Sequence, residues 1–120
     1  MKSKPYSIRL ASYNYGRFSE KLAAIYLMAK GYRIVSRNFS SNLGEIDIIA
    51  AKKNCLAIIE VKARKSATLE VLTAKQQKRI MNAASLFVAK HREFAGSEIR
   101  FDLIVFKPFS ISHIIDCWRP

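Results

Sequence analysis

One stretch, Gly44–Arg64 (GEIDIIAAKKNCLAIIEVKAR), restricts the fold more than any other part of the chain. Two Ile- and Val-rich runs, Ile46–Ala51 and Cys55–Val61, flank the polar step Lys52–Lys53–Asn54, a pattern that predicts an antiparallel hairpin. Side chains alternate across a strand, so Glu45 and Asp47 are expected to share a face with Ile49 and Ala51. Glu60 and Lys62 are expected to share a face with Leu56 and Ile58. Turn length then sets what meets what. A two-residue turn at Lys53–Asn54, or a four-residue loop at Lys52–Cys55, sets Ile49 against Ile58, Asp47 against Glu60 and Glu45 against Lys62. A three-residue turn slips the register by one and sends the two acidic sets to opposite faces.

Like charges placed directly opposite each other on a sheet are destabilising. In the favoured register the shared face is apolar near the turn and acidic at its far end. Two readings are open. In one, the far end is a solvated polar rim. In the other the face is covered, and Lys62 alone cannot neutralise Glu45, Asp47 and Glu60. A divalent cation such as Mg²⁺ then completes the balance, since it takes carboxylate oxygens and keeps several waters. The spacing D-x12-E-x-K from Asp47 to Lys62 favours the second reading, because it puts two ligands and an amine at one end of one hairpin.

Asp47 followed by Glu60-Val61-Lys62 resembles the metal-binding signature of the PD-(D/E)xK nuclease superfamily. The longer pattern resembles its YraN-like branch, predicted endonucleases related to archaeal Holliday-junction resolvases. It comprises Gly16, Glu20 and Ala23, Gly31-Tyr32, Arg37-Asn38, Gly44-Glu45-Ile46-Asp47, Glu60 to Arg64, Lys75, and Arg100-Phe101-Asp102. Ile46 stands at the signature's proline position, where the superfamily often lacks the proline. The resemblance implies a restriction-endonuclease-like α/β core and Mg²⁺- or Mn²⁺-dependent hydrolysis of DNA. It implies Asp47 and Glu60 as metal ligands, with the backbone carbonyl of Val61 as a further one and Glu20 joining through water or a second ion. Lys62 would orient the attacking water or stabilise developing charge; Glu45 and Lys75 would stand just behind these groups.

A chain of 120 residues suffices for one compact domain with a real core. Lys and Arg outnumber Asp and Glu by 21 to 9, a net charge of +12, which favours a polyanionic partner. The longest apolar stretch, Leu22–Ala29, is too short to span a bilayer, so nucleic acid is preferred to membrane, and DNA to RNA. Cys55 and Cys117 sit in apolar runs without CxxC or Cys/His spacing, which predicts a reduced, cytoplasmic protein and argues against zinc.

Met1–Tyr15 mixes Pro, Ser, Asn and basic residues without a period and reads as a basic, poorly ordered arm before a single domain at 16–120. A first helix is predicted from Arg17 to Lys30, stopped by Gly31. Its spacing sets Glu20 with Ala23, Ala24 and Leu27; by spacing alone Glu20 is a first-turn acid, and the resemblance turns it toward the site. Strands are expected at Tyr32–Phe39, Arg100–Lys107 and Ile111–Asp116, besides the hairpin. Thr73-Ala74-Lys75-Gln76 is a capping box that starts a second helix running to about Arg92. Lys75, Lys78, Arg79 and Asn82 fall on one side of it, and cations there oppose the helix macrodipole. Arg64 and Lys65 begin a polar loop over the acidic end. With Lys75, Lys78 and Arg79 they are the candidate phosphate contacts. Asp102, inside an apolar strand, reads as a structural acid paired with a nearby Arg or the backbone.

The expected order is α-β-β-β-α-β with a short final strand: a mixed sheet flanked by helices. Two further functions stay open, a non-catalytic basic nucleic-acid-binding module and a basic scaffold for a protein partner. A two-fold homodimer is expected if the substrate is a symmetric junction.

Overall fold

The computed structural model describes residues 6–63, 72–107 and 109–120, with side chains from Phe18 onward. Helix α1 (Tyr6–Ala29) leads into strands β1 (Arg33–Ser40), β2 (Glu45–Lys52) and β3 (Cys55–Ala63). Helix α2 (Ala74–Lys90) and a short 3-10 turn (Arg92–Phe94) precede β4 (Glu98–Lys107) and β5 (Ser110–Trp118). One sheet runs in the order β1-β2-β3-β4-β5, antiparallel throughout except for the parallel pair β3–β4. The mixed α/β sheet flanked by helices is therefore as the sequence predicted.

Helix boundaries follow local chemistry at three of the four ends. Gly31 adopts φ 94, a left-handed conformation that closes α1 where the sequence put its stop. Thr73 caps α2 in a full capping box: its side chain accepts from the Gln76 amide at 3.1 Å, and Gln76 Oε1 accepts from the Thr73 amide at 2.9 Å. The C-terminus of α2 falls at Lys90, where His91 leaves the helical conformation. The start of α1 corrects the reading of Met1–Tyr15 as an irregular arm, since the helix already begins at Tyr6. Between Pro5 and Gly16 the chain holds neither proline nor glycine, so nothing local forbids a helix. Residues 1–5 lie outside the described residues, as does most of the loop expected at Arg64–Leu72.

The sheet separates two cores. On one face α2 covers Ile46, Ile49, Leu56 and Ile58 through Ile80, Ala83, Ala84 and Phe87. On the other, Ala23, Ala24 and Leu27 of α1 cover Ile48, Ala50, Ala57, Ile59 and Ile104. Both faces of the hairpin are thus buried, and fully burying one Ile or Leu side chain contributes about 1.5–3 kcal/mol. A half-exposed hairpin is therefore not what the apolar part shows, while Glu45 at its far end is exposed.

Candidate metal and nucleic-acid site

The hairpin turns at Lys53–Asn54, with Lys53 at φ 55, and pairs Lys52↔Cys55, Ala51↔Leu56, Ala50↔Ala57, Ile49↔Ile58 and Ile48↔Ile59. This is the register that points Asp47 toward Glu60. Pairing between β2 and β3 then stops. β2 continues along β1 through Phe39↔Ile46 and Ser40↔Glu45, and β3 continues along β4 through Glu60↔Leu103 to Ala63↔Phe106. The sheet forks, and the acids sit in the fork.

A side chain occupies the position where the ladder would have gone on. The Val61 amide donates to Asp47 Oδ2 at 2.8 Å, a side-chain acceptor on β2, beyond the last backbone pair Ile48↔Ile59. The strict alternation expected along β2 breaks at the same place: Ile46 and Ile49 pack on the α2 side while Ile48 packs on the α1 side. Asp47 stands at the point where the alternation changes.

Asp47 lies within hydrogen-bonding reach of both Glu20, from α1, and Glu60, from β3. Lys62 Nζ stands 3.5 Å from Glu60 Oε1. Burial, followed by the charge of Asp47 and its hydrogen bond, raises the Glu20 carboxyl above the ordinary range, against Arg37 and Asn38, which lower it. Glu60 is pushed up to about 8, first by burial and then by the charge of Asp47, with Lys62 pulling the other way. The three acids form a chain with Asp47 in the middle. Among the described residues no group of three or more His, Cys, Asp or Glu is already gathered around one point. The donor set is all oxygen, as a hard cation requires, and two carboxylates suffice for an ion that keeps its waters.

Glu45 is exposed and borders two small cavities. One, of about 260 Å³, is lined by Glu45, Glu60, Leu72, Gln76, Arg79 and Ile80. The other, of about 170 Å³, is lined by Asn38, Ser40, Glu45, Ile46 and Asp47. The register set Glu45 against Lys62; Lys62 pairs with Glu60 instead, and Arg64 and Lys65 lie outside the described residues. Nearby, the Ser41–Gly44 turn presses on α2 so closely that a Cβ on Gly44 would meet the Arg79 carbonyl oxygen at 2.7 Å.

The basic side of α2 divides. Arg79 reaches the cavity beside Glu60, whereas Lys78 and Asn82 border an apolar groove on the far flank. Lys75 is exposed at the start of α2 and lines neither. Gln76, whose sequence signal was only its capping role, lines the Glu60 cavity as well. Asn38 and Arg37 also act on Glu20, which the spacing of charged residues does not disclose.

The raised Glu60 carboxyl gives a prediction with opposite signs for folding and for metal. In the folded protein it holds a proton up to about pH 8, whereas a free glutamate releases it near 4.5. The unfolded chain binds fewer protons between those values, so metal-free stability falls as pH rises through that window. Cation binding needs the ionised carboxylate, so Mg²⁺ affinity rises across the same window, about tenfold per pH unit below pH 7. Thermal unfolding at pH 6 and pH 8, each with and without Mg²⁺, reads both trends. An equal Mg²⁺-induced shift at the two pH values would remove Glu60 from the site.

A second buried polar cluster lies on the α1 side. Asp102 is fully buried and accepts from Arg100 Nε at 2.9 Å, Arg100 Nη2 at 2.8 Å, His113 Nε2 at 2.9 Å and the Asp116 amide at 3.0 Å. Burial opposes its charge, but the bonds from His113, Arg100 and Asp116 outweigh it and hold the carboxyl below the usual range. Arg100 Nη2 also donates to the Tyr32 hydroxyl at 2.6 Å, tying β4 to the end of α1. Asp102 is the structural acid that its apolar flanks predicted.

Residues 19–106 match the model of a family described as uncharacterised protein family UPF0102. A UPF0102 protein of Rhodopseudomonas palustris (strain BisA53) is 46% identical over 112 residues, covering 89% of this chain and 85% of that protein. One from Nitrobacter winogradskyi is 45% identical over 103 residues, covering 84% and 87%. One from Bradyrhizobium diazoefficiens is 44% identical over 105 residues, covering 86% and 79%. Glu20, Asp47, Glu60, Lys62 and α2 all fall inside the matched region, and the chain belongs to the UPF0102 family.

Proposed function

We propose that the protein is a metal-dependent endonuclease that hydrolyses phosphodiester bonds in DNA on a restriction-endonuclease-like core of the PD-(D/E)xK type. The observation that carries this reading is the acid chain Glu20–Asp47–Glu60 held in the fork of the sheet, with Lys62 beside it. A Glu60 carboxyl crowded enough to hold a proton up to about pH 8 is a costly arrangement unless a cation replaces that proton.

Asp47 and Glu60 would hold Mg²⁺ or Mn²⁺, with the Val61 carbonyl as a further ligand and Glu20 through water or at a second ion. When bound, the ion supplies Lewis-acid polarisation of the phosphate and a more acidic water. The Val61 amide fixes the Asp47 carboxylate, so the ligand meets the ion without searching rotamers. Lys62, oriented by Glu60, places a positive charge where the phosphate becomes more negative. Arg79, bordering the same cavity, offers a bidentate fork to a neighbouring phosphate.

The +12 charge supplies the sequence-independent part of binding. Replacing Lys78 and Arg79 together by alanine should weaken DNA binding across sequences, lowering the salt slope by about one unit for each phosphate left without its cation. Arg79→Ala alone should account for most of it, because Lys78 faces the other flank. An unchanged slope in the double variant would make that side of α2 merely solvated. No helix among the described residues is long and apolar enough to cross a membrane.

The decisive experiment incubates labelled duplex, nicked, flap and four-way-junction DNAs with the protein in Mg²⁺ or Mn²⁺, against EDTA. Metal-dependent products support the nuclease, and symmetric cuts in a junction support a two-fold dimer. Salt-sensitive binding without products in either metal returns the protein to a non-catalytic nucleic-acid-binding role.

A further inference from the structure

Among the described residues, four non-glycine residues have positive φ, and three have a local reason for it. Lys53 and Phe109 sit in the tight turns between antiparallel strands, and Asp116 bends β5 so that its amide reaches Asp102. Asn38, like Asp116, lies inside a strand, β1, at φ 55. A non-glycine residue in that conformation costs free energy and persists where its surroundings determine it.

The surroundings of Asn38 are the acids. The β1–β2 register pairs Arg37↔Ile48 and Phe39↔Ile46, which sets Asn38 across from Asp47. Asn38 lines the small cavity with Glu45 and Asp47, and it is close enough to Glu20 to favour that carboxylate's charged form. Resting on the metal-dependent reading above, we infer that Asn38 is a positioning residue, whose left-handed backbone turns its side-chain amide onto Glu20 and holds that carboxylate against Asp47 for the ion.

Residue chemistry narrows the choice to asparagine. The position needs tolerance of positive φ, which glycine, asparagine and aspartate have. It also needs a donor for a carboxylate, which glycine lacks, and no added negative charge beside Glu20, Asp47 and Glu60, which excludes aspartate. A hydrogen bond of this kind works as the outer partners of metal ligands do, fixing the ligand without touching the ion.

The test is Mn²⁺ titration calorimetry on the full chain, beside thermal unfolding of the metal-free protein, for wild type, Asn38→Gly and Asn38→Ala. Asn38→Gly keeps the backbone conformation and deletes only the amide, so it should weaken Mn²⁺ binding by about tenfold while the metal-free Tm stays within a few degrees. Asn38→Ala should lose the same affinity and also melt earlier, because alanine resists positive φ. Should Asn38→Ala fail to fold, Asn38→Gly decides alone. Wild-type Mn²⁺ affinity in Asn38→Gly overturns this inference and leaves the metal reading standing. A wild type that binds no Mn²⁺ overturns the metal reading and this inference with it.

Discussion

Asp47→Asn should yield a metal-free protein at least as heat-stable as wild type at pH 8, yet one that Mg²⁺ no longer stabilises and that no longer cuts DNA. The asparagine oxygen still accepts from the Val61 amide, while its new donors turn toward Glu20 and Glu60 in place of a repelling charge. Removing a like charge from a crowded pair on a sheet relieves strain. The loss of cleavage should exceed the roughly 10–100-fold typical of residues that only support a metal ligand. Asp47→Ala separates the two roles of the side chain. It leaves the Val61 amide without an acceptor, at about 1–3 kcal/mol, so it should melt earlier than either. The measurements are thermal unfolding with and without Mg²⁺ and a cleavage assay. An Asp47→Asn protein that melts well below wild type without metal, beside a wild type indifferent to Mg²⁺, would identify a purely structural network.

The largest loss of stability is expected at the other acid cluster, from Asp102→Ala. This change strands the Arg100 guanidinium, the His113 ring and the Asp116 amide, all of which donate to one fully buried carboxylate. Breaking a buried pair by deleting one partner costs about 3–5 kcal/mol, a large share of the roughly 5–15 kcal/mol that holds a domain together. Urea unfolding reads it directly. The Mn²⁺ affinity of the molecules that remain folded should stay near wild type, because the cluster shares no residue with the acid chain in the fork. A loss below about 1 kcal/mol would mean that relaxation or water replaces the missing acceptor.

How much of this was legible in the sequence depended on whether the signal was local. The hairpin turn at Lys53–Asn54, the stop at Gly31 and the Thr73–Gln76 capping box each rest on residues adjacent in the chain, and each stands where it was predicted. Strand limits moved by a residue or two, with β4 beginning at Glu98 and β5 running from Ser110 to Trp118, since edge pairing extends past the apolar runs. The early start of α1 escaped because Tyr6–Gly16 has neither a capping signal nor an apolar period. The approach of Glu20 to Asp47 was available only through the family resemblance, since spacing alone made it a first-turn acid. The fork was not legible at all. At the fork one side chain takes a backbone donor on another strand, while β1 and β4 pair with the two halves of the hairpin, contacts that no local pattern announces. Asn38 was hidden for the same reason: a conformation set by tertiary neighbours leaves no period to read.

The parallel pairing of β3 with β4 also orders the assembly of the molecule in time. Strands β1, β2 and β3 meet across short connections and are expected to pair early, whereas Cys55 and Glu98 meet only when the long segment between them, α2 included, has turned back. Closing that long loop costs entropy before any contact rewards it. A chain leaving the ribosome can therefore hold Asp47 near Glu60 while β3 still shows a bare edge and Asp102 has yet to be synthesised. Changes in the hairpin, such as Ile49→Val, should then slow refolding, and Asp102→Ala should chiefly speed unfolding. Stopped-flow chevrons would show this as effects on opposite limbs. Equal effects on both limbs would mean that the sheet closes in a single concerted step.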